Sequence, residues 1–544
     1  MRQTEQVLPQ RSLARIYWWV GLSGVLLVAL VLRIHGIHDL ILDHPGWRQG
    51  DTAAIARNFA RLRFNIMYPQ TLYNGAPPNY VELELQIVPF LAASLYKVFG
   101  VHEIFGRIIA LIFSLGTVAT LAYFARWIFG SAVAGVVAAF FYAVFPGSVY
   151  YGRTFMPDCA MVFFLTAALY AAARYFSEDE DLSLRGLAGP TALLTLAYLA
   201  KPVATLAVVP LLGLLVARAR SGRTTRPLPV AILFAVPLLV LALYDRRVDS
   251  YAEWHWASGI TRLHVLPALS GALTSGTGFL TKFTQLRVVL GMLRGTLAGS
   301  LSFALAVAGF VALPWIPARS KVLLWGWLAG GLIYLYVVVT VERVDYYMLP
   351  LLPLFALAIG GVAGAFVTTV CGAAVAPAAR YGLLAIVPLL ATAALLGSRA
   401  PVAAYYDYNK QAYRNAILLD RRLPRSALIV IGHYGPDVQY YIDRFGWEED
   451  PAVWTPFDEE SAIRKGARYF ISIEDNRLRL NSELCAWLQR FPTFDAGGWP
   501  VYETEPAKML PQADRFWREF RRAERTGSGR AFLDAHGICR VTSR

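Results

Sequence analysis

The groups able to do chemistry stand where long apolar runs break. Asp51 lies in "HPGWRQGDTAAIARNFA" (44–60), just before a run in which Ile55, Phe59 and Leu62 are spaced three and four apart. That spacing predicts an amphipathic helix with Asp51 placed to cap it, and Trp47, Arg57 and Arg61 suit the helix to a membrane surface. The same carboxylate suits the removal of a proton from an attacking hydroxyl or amine, and local sequence leaves both readings open. In "FPGSVYYGRTFMPDCAMVFF" (145–164), Arg153 and Asp158 flank the join between an outgoing and a returning helix, with Pro157 fitted to the first helical turn. Asp158 reads as a cap, as a partner of Arg153, or, beside Tyr150 and Tyr151, as the lining of a polar cavity. A third junction, "TVERVDYYMLPLLPLFALA" (340–358), carries Glu342, Arg343 and Asp345. Arg343 either pairs locally or joins Lys282 or Arg287 around phosphate oxygens, which arginine matches well. Glu82 and Glu84 share a face only on an extended backbone and diverge on a helix. His44 and His102 are candidate cation ligands without metal-motif spacing, and no Walker or dinucleotide glycine motif is present.

These groups need elements to hold them. Of the 544 residues, 56% are hydrophobic and 16% charged, well below the roughly one quarter charged that soluble domains carry. Apolar runs between Ile16 and Leu396 fit about 11 transmembrane helices. The first of them reads as an uncleaved helix rather than a signal peptide. Arg11 and Arg15 place the N-terminus in the cytoplasm, and the alternation then puts Arg126, the 218–226 run, Arg319, Lys321 and Arg380 inside. The formal charge of +14 follows from such loops, and no basic, aromatic-interleaved module for nucleic acid is evident. Residues 81–100 are long enough to cross, but Glu82, Glu84 and Pro89 argue for a helix at the outer interface. The predicted organisation is a membrane domain over 1–398 with outer loops at 35–106 and 245–300, followed by an extracytoplasmic α/β domain over 399–544. Cys485 and Cys539 lie in that second domain, where pairing depends on its compartment.

In the order of its segments the chain resembles the lipid-dependent, multi-spanning glycosyltransferases of the GT-C fold, which include protein O-mannosyltransferases and the bacterial aminoarabinose transferase that modifies lipid A. The resemblance rests on the Asp51 loop, "YKVFGVHEIFGRIIALIFS" (96–114), "RWIFG" (126–130), "FPGSVYYGRTFMPD" (145–158) and "YYMLPLLP" (346–353). It covers roughly 30–175 and 340–360, and departs from the family at 77–86, "PPNYVELELQ". It implies inverting transfer from a polyprenyl-phosphate sugar to a lipid, glycan or protein acceptor at the outer face of the inner membrane. On that basis Asp51 is the expected base and Asp158 a cavity acid. Arg153, Lys282, Arg287 and Arg343 are the expected donor-phosphate ligands, and Glu82, Glu84, Tyr151, Glu342 and Asp345 line the cavity or acceptor side. Some relatives also bind a divalent cation. The competing expectations are a transporter or flippase for a lipid-linked sugar, which calls for mid-membrane acids or internal repeats, and a non-catalytic envelope-assembly protein.

Overall fold

The computed structural model describes residues 7–81, 83–178, 182–223, 225–252 and 264–539. Among these residues, eight helices are long and apolar enough to span a membrane, or nine if the bent pair Leu280–Ala298 and Ser300–Ala312 counts as one span. The first, α1 (Val7–Ile34), buries Trp18, Leu22, Val25 and Ala29, while Tyr17, Val20, Leu27 and Val31 stay exposed. Three- and four-residue spacing gives one stripe to neighbouring helices, and the remaining apolar surface is what lipid would cover.

After α1 come α2 (Gly46–Arg61), the short apolar α3 (Ile87–Phe99) and the long α4 (Ile104–Phe129). With 13 residues, α3 is about 20 Å long, short of the roughly 30 Å hydrocarbon core. One expected span, 131–150, is interrupted, and another ends at the Lys201-Pro202 break expected of it. The 131–150 run divides into α5 (Ala132–Val144) and α6 (Pro146–Tyr151), because Pro146 has no N–H with which to continue α5. Beyond α7 (Asp158–Glu178), α8 (Leu184–Ala200) stops at Lys201, whose extended backbone (φ −167°, ψ 123°) is what a following proline favours. Among the described residues the eight or nine long helices are joined by shorter apolar ones, Ile87–Phe99, Ala132–Val144 and Leu184–Ala200, a set consistent with the expected multi-pass domain.

The C-terminal part is a mixed sheet in the order β2-β1-β3-β5-β4, formed by β1 (Leu428–Gly432), β2 (Gly446–Glu449), β3 (Ala467–Ser472), β4 (Thr493–Asp495) and β5 (Pro500–Tyr502). β2, β1 and β3 are parallel, and β5 and β4 add antiparallel. A Cys485–Cys539 disulfide ties its helical cover together, while Cys159 is buried and Cys371 exposed as free thiols.

This sheet clasps α2. Residues from Arg48 to Phe59 are buried without interruption, so α2 is enclosed between α3 and the helix Pro436–Ile442 instead of lying on a membrane surface. Gly50 permits the approach, since a Cβ there would sit 2.5 Å from the Asp437 Cα. Arg57 is the clasp: it donates to the Tyr440 carbonyl at 2.9 Å, pairs with Asp443 at 3.1 Å and lies over the Tyr440 ring. A buried, charge-assisted contact of this kind contributes about 1–3 kcal/mol. Arg57→Ala is therefore expected to speed hydrogen–deuterium exchange along 72–75, where the first outer loop meets β2, and unchanged exchange there would refute the clasp.

Candidate active site

α2 begins at Gly46 with Pro45 as its N-cap. Asp51 is consequently inside the second turn, not a cap, and it shares a helix face with Arg48. Asp51 is 2% exposed, its Oδ2 lies 3.8 Å from the Arg48 guanidinium, and Tyr73 hydrogen-bonds the carboxyl group. Among the described residues its buried Oδ1 has no hydrogen-bond partner. Burial pushes the acid up to about 7, against the opposing pull of Arg48 and Tyr73, which poises it as a base near neutrality. Arg48 also forms a direct ion pair with Glu84, from the loop before α3. Burial weakens the guanidinium's hold on its proton, but the carboxylates of Glu84, Asp51 and Asp158 outweigh it and raise Arg48 further.

The second acid opens α7. Asp158 is fully buried and accepts a 2.7 Å bond from the Lys201 ammonium, which the break after α8 delivers. That ammonium also lies 4.7 Å from the ring centres of both Tyr346 and Tyr347. Its partner is therefore Lys201, not Arg153. Arg153 has no exposed surface: it donates to Asp43 at 2.6 Å and to the Gly36 carbonyl at 2.9 Å, and Arg107 holds the other Asp43 oxygen. Such a closed pair fixes the loop after α1 and leaves Arg153 unsuited to the phosphate role expected of it.

Around the 3-10 turn Asp345–Leu351, Asp345 accepts bonds from the hydroxyls of Tyr151 (2.7 Å) and Tyr405 (2.6 Å) and from the Tyr346 N–H (2.8 Å), with His44 Nε2 at 3.4 Å. The other expected phosphate ligands stand apart from this cluster. Lys282 is 7% exposed and reaches the Val337 carbonyl at 3.4 Å, Arg343 donates to Gln285 at 3.0 Å, and Arg287 is exposed. Glu342 meets His264 at 2.6 Å. Glu82 falls outside the described residues. Of the expected site residues, Asp51 and Glu84 meet at Arg48, Asp158 pairs separately with Lys201 while its charge is felt by Arg48, and Tyr151 joins Asp345.

Sequence reading passed over Arg48, Tyr73 and Lys201. Arg48 stands three residues before Asp51 on the same helix, a spacing that makes ion pairs. Lys201 was read only as a helix breaker, although a lysine between apolar runs is itself a signal. Among the described residues no group of three or more His, Cys, Asp and Glu side chains could hold a metal ion.

Residues 86–244 match the family model for dolichyl-phosphate-mannose-protein mannosyltransferase. No curated protein matches the chain. The fold is similar to that of ArnT from Cupriavidus metallidurans bound to undecaprenyl phosphate, over 91% of this chain and 99% of that one, at 14% identity and a TM-score of 0.59. The apo ArnT gives 0.58 over 92% and 100% of the two chains, again at 14% identity. The archaeal oligosaccharyltransferase AglB from Archaeoglobus fulgidus, in complex with an inhibitory peptide and a dolichol-phosphate, gives 0.60 at 14% identity over 92% of this chain and 75% of its own. A multi-pass helical domain followed by a small sheet domain, matched over nearly its whole length by ArnT and AglB, has the GT-C fold that those proteins share.

Proposed function

We propose that the protein is an inverting glycosyltransferase, moving a sugar from a polyprenyl-phosphate donor to a lipid, glycan or protein acceptor at the extracytoplasmic membrane face. The observation that carries this reading is Asp51: a buried carboxylate poised near neutrality beside the Arg48 guanidinium, with one oxygen that has no hydrogen-bond partner among the described residues. In the reaction, Asp51 takes the proton of the acceptor hydroxyl or amine as the nucleophile attacks the anomeric carbon. The bond from that carbon to the phosphate oxygen breaks on the opposite face, and the electron pair leaves with the lipid phosphate, which Lys201 and Arg48 stabilise. These two cations replace Arg153 in the assignment.

The lipid part of the donor has a suitable seat. A cavity of about 340 Å³ opens between helices and is lined by apolar side chains, among them Leu290, Phe303, Phe310, Trp325 and Phe355. Its lining includes Leu351, the last residue of the turn that carries Asp345 and Tyr346, so an isoprenoid chain seated there lies next to the turn of the polar cluster. We place the N-terminus in the cytoplasm and the C-terminal domain outside. Arginine-bearing loops on one side support that orientation, and so does the Cys485–Cys539 disulfide, which suits an oxidising compartment.

The test is reconstitution in vesicles with undecaprenyl phosphate carrying a radiolabelled sugar, and solubilised membranes as the acceptor source. The label is expected to leave the polyprenyl fraction with inversion at the anomeric carbon. Movement of the intact lipid-linked sugar between leaflets, with no transfer, would instead establish a transporter.

A further inference from the structure

The C-terminal domain does more than cover α2. The edge of β2 is bonded along the first outer loop: the Gly446 N–H donates to the Leu72 carbonyl at 3.0 Å, and the Gly75 N–H donates to the Gly446 carbonyl at 2.8 Å. Tyr73, between those contacts, reaches Asp51. Two residues beyond Gly446, and so on the same face of the strand, stands Glu448. It is 6% exposed, and among the described residues neither carboxylate oxygen has a hydrogen-bond partner. The Gly435 N–H donates to the His433 carbonyl at 3.1 Å and also acts on the Glu448 carboxyl group, opposing its rise. Asp51, the strongest charge acting on Glu448, has its own buried orphan, Oδ1. Buried polar atoms are seldom left unpaired in a finished interior. Here orphans come from both sides of one domain junction, as in a site shaped for a polar ligand.

We propose that Glu448 is the acceptor-binding group of the reaction centre: as a neutral carboxylic acid it donates a hydrogen bond to an acceptor oxygen adjoining the nucleophile that Asp51 deprotonates. This role rests on the glycosyl-transfer reading above and adds to it an acceptor of defined chemistry, one presenting an X–H group and a neighbouring hydrogen-bond-accepting oxygen. The proton on Glu448 stays on Glu448, and the acceptor's proton goes to Asp51. The groups facing Glu448 are Asp51 from α2, Tyr73 from the loop, His433 and Tyr434 after β1, and Glu449 on β2 itself. Their balance favours the neutral form. Burial and the Asp51 charge push Glu448 up to about 8 against the opposing charge of His433. His433 stays protonated despite burial, because bonds to Asp437 (3.2 Å) and Glu474 (2.8 Å) raise it to about 10. Of the two buried acids, Glu448 is the one pushed further up, so the Asp51 charge itself favours the neutral form of Glu448.

The test compares reconstituted wild type, Glu448→Gln and Glu448→Ala, using undecaprenyl phosphate with a labelled sugar as donor and solubilised membranes as acceptor. Wild-type transfer is expected to fall as Glu448 ionises near pH 8. Glu448→Gln, which keeps an N–H donor and cannot ionise, is expected to retain transfer within about threefold and to lose that alkaline fall. Glu448→Ala is expected to transfer about tenfold more slowly at every pH. Transfer by Glu448→Ala at the wild-type rate, or an alkaline fall preserved in Glu448→Gln, overturns the proposal. A second readout needs neither acceptor nor turnover: infrared difference spectra of the reconstituted wild type are expected to show two protonated carboxyls lost near pH 8, those of Glu448 and the likewise buried Glu459, and Glu448→Gln is expected to show only one. If the variants fail to fold, absence of that signal in wild type still overturns the proposal. A wild type that transfers no sugar overturns the enzymatic reading and this role with it, while the infrared signal reports separately on whether Glu448 is neutral.

Discussion

Asp51→Asn is expected to slow sugar transfer by about 10²–10⁴-fold, the usual contribution of a positioned general base, while leaving the protein more stable above neutral pH. The two effects have one cause. Asparagine keeps the shape of the side chain and cannot take a proton. It also never becomes a charge in a site where Asp51 is 2% exposed. Burial raises the acid from 3.8 to about 7, so the folded protein holds its proton more tightly than the unfolded chain does. Stability is therefore lost progressively as pH rises from about 3.8 through about 7, and the full cost of the buried carboxylate is present above that window. Asparagine removes the cost and leaves Arg48 paired with Glu84. The measurement is initial transfer rates together with apparent Tm in detergent on both sides of neutrality. Wild-type transfer should rise through about pH 7 as Asp51 ionises. Unchanged turnover in Asp51→Asn would end its assignment as the base, and a lower Tm at alkaline pH would mean that the carboxylate holds the fold together.

Periodicity and charge made the membrane helices legible, because lipid demands long apolar runs and leaves little else to satisfy the backbone. Pro202 ends a helix where the Lys201-Pro202 break was legible, while Pro146 ends α5 inside a run that hydrophobicity alone would continue. The candidate site was legible only in its acids. Asp51, Glu84 and Asp158 stand at junctions that any topology brings to one rim, but their partners are set by tertiary contacts. Arg153, five residues from Asp158, pairs with Asp43, while Lys201 crosses from another helix junction to take its place. α2 carries the spacing of a surface helix and is nevertheless buried, since Asp437, Tyr440 and Asp443 cover it from almost 400 residues away along the chain. For the same reason Glu448, in a strand with no motif around it, gave no sign of nearness to Asp51.

The pair made by Lys201 and Asp158 separates structural from chemical roles at this site. Lys201→Met alone leaves the Asp158 carboxylate buried with neither oxygen paired, since its Oδ2 already has no hydrogen-bond partner and Oδ1 would lose the 2.7 Å bond. Breaking a buried ion pair in this way costs about 3–5 kcal/mol, which should appear as a large fall in apparent Tm. Asp158→Asn is expected to cost less, because the ammonium keeps the faces of Tyr346 and Tyr347, each 4.7 Å away. The double variant Asp158→Asn/Lys201→Met removes both charges and should recover most of the stability lost by Lys201→Met, as buried pairs replaced together often do. Transfer is expected to behave differently. If Lys201 stabilises the departing lipid phosphate, the double variant stays slow by about 10²–10³-fold, the scale of a lost transition-state electrostatic contact, although its fold is restored. A double variant that regains both Tm and turnover would make the pair a structural tie and leave Arg48 as the cation facing the phosphate.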